Sequence, residues 1–136
     1  MKILVAVDGS KASLNAVKCL VDHADWYRDK PQVELVTVHF PVPQLPGLGA
    51  AVGKSQVARY YQEEGESRVA AARKQLDAAG LRYEVRILVG HPAEQIVKHA
   101  TKEGCDLIYI GAPQALIGST TTRVAHTSEV PVLLVK

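Results

Sequence analysis

Lys2-Ile-Leu-Val-Ala-Val7, followed at once by Asp8-Gly9-Ser10, is the stretch on which the fold turns. Five consecutive apolar residues leave no polar face, the pattern of a strand covered on both sides in a parallel sheet. Asp-Gly-Ser supplies turn chemistry and a ready helix N-cap. The residues after it place Leu14, Val17, Val21 and Ala24 on one helical face, predicting a first helix. Buried strand, tight turn and amphipathic helix make the opening of a βαβ unit.

The pattern repeats along the chain. Val33–Phe40 reads as a second strand, and Pro41-Val-Pro43 takes the chain out of the sheet. Pro41–Gly53, rich in proline and glycine, is expected to be a long loop, either a functional lid or a disordered segment. A long helix follows from about Ser55, with Val57, Tyr61, Gly65, Val69, Ala72, Leu76 and Ala79 on one face and Gly80 ending it. Leu81–Val89 alternates enough to suggest a strand at a sheet edge, and Pro92 opens a third helix with Ala93, Ile96, Val97 and Ala100 inward. Asp106–Ile110 and Val130–Val135 are the fourth and fifth strands, the latter marked as an edge by Pro131. Between them Arg123-Val-Ala-His126 forms a short helix. The expected architecture is α/β: one domain over residues 1–136 with an open, mostly parallel five-stranded sheet.

Bulk properties narrow the function. The chain has 136 residues, and a net charge of +2 is too mild to argue for a nucleic-acid partner. The run Ile3–Val7 is too short for a signal peptide, and no apolar stretch approaches membrane-spanning length. Cys19 and Cys105, far apart in sequence, suit reduced thiols. A soluble intracellular domain with no membrane partner is expected.

In a doubly wound sheet, ligands sit beyond the carboxyl ends of the strands where the strand order reverses. The usual order sets strand one beside strand four, bringing Asp8-Gly9-Ser10 next to Ile110-Gly111. Val7, Asp8, His39, Phe40 and Gly111 then face a common crevice. After Gly111 the chain runs to Gly118-Ser119-Thr120-Thr121-Thr122, a glycine turn and hydroxyls at a helix start. Such a turn can hold an anion, with the hydroxyls capping the helix or meeting a phosphate. It can equally be an ordinary strand-to-helix turn, and Asp8 can equally be a plain N-cap. No base–nucleophile pair stands at telling spacing, so a dedicated enzyme is not expected. A phosphoacceptor role for Asp8 would need further acidic residues and a late sheet lysine, and residues 3–7 are apolar. None of the five histidines pairs with a cysteine at metal-ligand spacing, so no metal site is expected. Arg68, Arg73 and Lys74 read as the solvated face of the long helix.

Three motifs carry a resemblance to the universal stress protein family. They are Ile3-Leu-Val-Ala-Val-Asp-Gly-Ser10; Gly90-His-Pro-Ala-Glu-Gln-Ile96 with Gly104-Cys-Asp-Leu-Ile-Tyr-Ile-Gly111; and Gly118-Ser119 with Pro131-Val-Leu-Leu-Val135. The resemblance spans the chain. It implies a Rossmann-like sheet of order 3-2-1-4-5 (the adenine nucleotide alpha hydrolase-like type) with helices on both faces. It also implies a cytoplasmic homodimer paired through strand 130–135, where an unpaired apolar edge would otherwise remain. Members that bind ATP carry a glycine at the end of strand four, another three residues on, and a later Gly-Ser or Gly-Thr pair. Here Gln114 stands at the second position, and six residues separate Gly111 from Gly118 where the full loop has twelve. Asp8, Gly111, Gly118, Ser119 and Thr120 match the family's nucleotide positions, and Val38, His39 and Phe40 fall at the adenine-side strand end. The implied function is a stress-response binding module holding ATP or AMP, with Mg²⁺ accompanying ATP. The alternative, favoured by the shortened loop, is a stress protein that works through protein partners with a vestigial pocket.

Overall fold

A computed structural model describes residues 1–42, 53–113 and 118–136. Strands β1 (Lys2–Ala6), β2 (Gln32–His39), β3 (Tyr83–Val89), β4 (Leu107–Gly111) and β5 (Val132–Val135) form one sheet. They alternate with helices α1 (Lys11–Asp22), α2 (Lys54–Ala78), α3 (Pro92–Lys102) and α4 (Ser119–Thr127). All four strand pairings are parallel and the order is β3-β2-β1-β4-β5, as expected. The expected loop Pro41–Gly53 lies almost wholly outside the described residues, as do Gln114–Ile117.

Two hydrophobic layers sandwich the sheet. Ile3, Val5, Val33 and Leu35 point to α1 and α2, where Val17, Leu20, Val69 and Leu76 cover them. Leu4, Val36, Ile108 and Ile110 point the other way, to Ile96 and Ala100 of α3 and Val124 of α4. The central strands are therefore apolar on both faces, which is what the unbroken run of residues 3–7 required. Gly65, half way along α2, faces β3 so closely that a Cβ there would fall 2.7 Å from Ile87.

One helix face differs from expectation. The buried residues of α1 are Ser13, Ala16, Val17 and Leu20, while Leu14, Val21 and Ala24 are half-buried. The face is rotated because Ser13, a polar residue, takes an inner position that its hydroxyl can satisfy: it donates to Ser10 O at 2.9 Å and accepts from Asp8 N at 3.3 Å. Helix α1 then ends before Ala24, which opens a short 3₁₀ turn, Ala24–Trp26.

On the α3 side of β2 the buried carboxylate of Glu34 is partnered. Glu34 is 1% exposed, and its Oε2 lies 3.2 Å from Arg86 Nε and 3.4 Å from His99 Nε2. His99 is thus a packing residue whose ring closes a buried carboxylate. Among the described residues no helix is long and apolar enough to cross a membrane.

Candidate functional site

Strands β1 and β4 lie side by side, with Ala6 opposite Ile110, and their connections leave to opposite sides of the sheet. This is the switch point at which an α/β sheet opens a crevice. A cavity of about 490 Å³ sits there, walled by the ends of β1, β2 and β4, the first turns of α1, α3 and α4, and Arg68 of α2. That volume falls within the range of roughly 300–1,000 Å³ in which proteins hold small organic ligands.

The β1 wall is a hydrogen-bonded turn. Ser10 is the N-cap of α1, its Oγ accepting from Ser13 N at 3.2 Å. Asp8 is not the cap; its Oδ1 accepts from Ser10 N at 2.9 Å. Burial pushes the Asp8 carboxyl up, but the hydrogen bonds from Ser10 and Ser13 outweigh it and hold the group below its ordinary value. Asp8 is therefore an anion at neutral pH, an acceptor at the cavity rim.

The β4 wall is shaped by what Gly111 lacks. A Cβ at Gly111 would fall 2.2 Å from Ala12 O and 2.5 Å from Ala12 C, so α1 can approach the strand end only over a glycine. The Gly111 carbonyl accepts from Thr121 Oγ1 at 3.0 Å, which ties the start of α4 to the same point. The expected hydroxyl cap on α4 is not formed. Gly118 is the N-cap, no side chain among the described residues caps the helix, and Thr121 is turned inward to Gly111. Among the described residues the first amides of α4 have no side-chain acceptor at the edge of the cavity, where the positive end of the helix dipole lies. A Cβ at Gly118 would meet none of the described residues within 4 Å.

Seven of the eight sequence-predicted site residues line the cavity: Val7, Asp8, Phe40, Gly111, Gly118, Ser119 and Thr120. His39 does not. Strand alternation turns it to the α2 side, where it is 3% exposed with its ring 5.6 Å from Tyr61. Burial and then the neighbouring Arg68 charge lower its pKa, keeping the ring neutral. Arg68 is the residue that sequence reasoning misplaced. Far from being simply solvated, it lines the cavity and donates from Nη1 to Val38 O at 3.2 Å. The available signal was its position beside Val69 and three residues after Gly65, on the shoulder of the apolar stripe. Arg73, by contrast, pairs with Glu66 at 3.0 Å away from the cavity. Pro92 and Ile96 of α3 complete an apolar side. Among the described residues no three His, Cys, Asp or Glu side chains group as a metal site would require.

Comparison with known proteins gives a consistent picture. The family model described as "Universal stress protein family" matches residues 1–136. Universal stress protein MJ0531 of Methanocaldococcus jannaschii is 30% identical over 141 residues, covering 99% of this chain and 81% of that protein. Universal stress protein YxiE of Bacillus subtilis is 27% identical, covering 99% of this chain and 98% of its own length. Among solved structures, that of protein MJ0577 superposes with a TM-score of 0.80 at 29% identity, over 99% of this chain and 94% of the other. A universal stress protein in complex with cAMP superposes with a TM-score of 0.65 at 25% identity, over 99% and 95% of the two chains.

Proposed function

The chain belongs to the universal stress protein family, and from that footing we infer that it is a cytoplasmic binding module, a homodimer holding an adenine nucleotide where β1, β2 and β4 end. The observation that carries this reading is the pairing, in one cavity, of the Asp8 carboxylate with the uncapped start of α4. The first accepts hydrogen bonds from ribose hydroxyls. The second offers main-chain N–H groups and a dipole to phosphate. The relative in complex with cAMP, alike over almost the whole chain, supports an adenine nucleotide as the ligand class.

The short Gly111–Gly118 connection sets which nucleotide. With six residues between the glycines, fewer main-chain donors are available to wrap a chain of phosphates. Each charge-assisted hydrogen bond contributes roughly 1.5–3 kcal/mol, so AMP is favoured over a wrapped ATP. ATP would bring Mg²⁺ with it. The role in this reading is holding the nucleotide. The free edge of β5, with Leu134 39% exposed, is the surface on which a two-fold mate would continue the sheet.

The same short connection supports a second reading, in which the pocket is vestigial and the protein acts through protein partners. Calorimetric titration of nucleotide-stripped protein with AMP and ATP, with and without Mg²⁺, decides between them. Micromolar AMP binding that is lost in a Gly118→Val protein with the wild-type melting curve supports the nucleotide reading, since a Cβ at Gly118 meets none of the described residues within 4 Å. Absence of heat up to millimolar nucleotide turns the assignment to protein partners.

A further inference from the structure

The sheet has a second edge, longer than that of β5. β3 spans seven residues against four in β5, and the strand order among the described residues ends with it. Its ladder to β2 is closed at the two ends by Val33 N donating to Arg82 O and Gly90 N donating to His39 O. In a parallel ladder alternate residues give both main-chain groups to one neighbour, so the even-numbered residues serve β2. Tyr83, Val85, Ile87 and Val89 therefore turn their N–H and C=O groups to the outer edge. A groove of about 560 Å³ runs between that edge and α2, where Glu66 and Arg73 pair with each other and leave the helix wall balanced in charge.

The two faces of the strand differ. Toward α2 stand Tyr83, Val85 and Ile87, which are half-buried; the first two pack on the core and Ile87 lies against Gly65. Toward α3 stand Glu84, Arg86 and Leu88. Arg86 is already held in place: its Nε lies 3.2 Å from Glu34 Oε2 and its Nη2 donates to Glu84. Both Glu84 and Arg86 remain partly exposed.

We propose that the β3 edge pairs with β3 of a second copy of this chain, antiparallel, with the two-fold axis at Val85. In that register Tyr83 exchanges main-chain hydrogen bonds with the other copy's Ile87, and Val85 with its own mate, about six bonds in all. On the α3 face each Glu84 stands directly opposite the other copy's Arg86, and Arg82 falls opposite Leu88. On the α2 face Tyr83 stands opposite Ile87. Opposite charges and aromatic–β-branched pairs both favour such cross-strand contact. The charges also choose the register. An axis at Arg86 would align the whole strand but set Arg86 on Arg86, and an axis at Glu84 would set Glu84 on Glu84. Charged residues on an edge commonly guard it against pairing; this pattern guards it against the two nearest misalignments and admits the one on Val85. The contact does not rest on the nucleotide reading, and it lies at the opposite edge from β5. A protein using both edges would link dimers side by side.

The test is sedimentation of the full chain as Leu134→Asp, which charges the β5 edge, and as Leu134→Asp/Glu84→Lys, from low micromolar to near-millimolar concentration. Melting curves check the folding of both. The Leu134→Asp protein is expected to be monomeric when dilute and to dimerise as concentration rises, since a small contact with exposed ion pairs is weak. Added salt should weaken it further. Glu84→Lys sets lysine opposite Arg86 twice and should weaken the association about tenfold to a hundredfold. In the Leu134→Asp protein, amide hydrogen exchange should slow with concentration at Val85 and Ile87 and stay constant at Glu84 and Arg86, whose amides already serve β2. A Leu134→Asp protein that stays monomeric throughout overturns the proposal. So does a folded Glu84→Lys variant that associates as strongly, or an association that leaves exchange at Val85 and Ile87 unchanged. If Glu84→Lys does not fold, those two amides decide alone.

Discussion

The carbonyl oxygen of Ala12 occupies the place where a side chain on Gly111 would begin, with 2.2 Å between it and a Cβ built there. The glycine that closes β4 is thus needed by packing before any ligand arrives. Gly111→Ala should push α1 off the strand end and destabilise the protein by about 1–3 kcal/mol, in the range of forced overpacking. Chemical denaturation checks it. An alanine variant of unchanged midpoint would show that α1 is not seated on Gly111.

Acid should act on the turn at Asp8. Its carboxyl titrates below the ordinary value in the folded protein, because Ser10 and Ser13 hydrogen bonds outweigh burial. A lowered folded pKa contributes stability above the unfolded value of about 3.8, and that contribution disappears as pH falls through the folded pKa. Asp8→Asn should therefore be less stable than wild type at pH 7, and the gap should close on acidification below about pH 4. Melting temperatures of both proteins from pH 7 to 3 measure it, and a constant gap would contradict the assignment.

Glu34 is buried on one strand while Arg86, its partner at 3.2 Å, reaches in from the sheet edge. Removing the arginine leaves the buried carboxylate with His99 as its remaining partner at hydrogen-bonding range. Arg86→Met should cost about 1–3 kcal/mol, less than for a fully buried pair because Arg86 is half-exposed. Adding Glu34→Leu should recover part of that loss. A double variant worse than the sum of the two singles would refute the uncompensated-charge explanation.

On β5 two adjacent leucines separate core from edge. Leu133 packs against the α1–α2 core, whereas Leu134 is 39% exposed. Leu133→Asp should lower the melting temperature in any state of assembly. Leu134→Asp should leave the fold nearly as stable and, on the dimer proposed above, shift the mass in sedimentation from dimer to monomer. A Leu134→Asp protein that keeps the wild-type mass would place any dimer contact elsewhere.

Much of this fold was legible because the sheet is parallel and buried. Runs such as Ile3–Val7 and Leu107–Ile110 announce themselves, and Gly80 and Pro92 punctuate them where expected. The same burial hid which way β2 faces. Glu34, Thr37 and His39 are all buried there, so no polar alternation betrays the phase, and His39 was placed on the wrong side. The α1 face was misjudged for a related reason: Ser13 is inside because its hydroxyl finds Ser10 O and Asp8 N, partners that apolar periodicity does not register. Arg68 escaped because a long side chain on the flank of an apolar stripe reads as solvated until tertiary structure supplies a carbonyl for it.

The cavity has one end drawn in main chain and one drawn in side chains. Gly111 and Gly118 shape the first by having none, and a wall of that kind travels with the backbone itself, which superposes well on a relative of only 29% identity. Arg68 and Phe40 shape the second, where a single codon change redraws the surface and leaves the sheet alone. A lineage seeking a new ligand would keep the main-chain end and vary the far wall, so overall resemblance between two such proteins says more about the end they share than about what each tells apart.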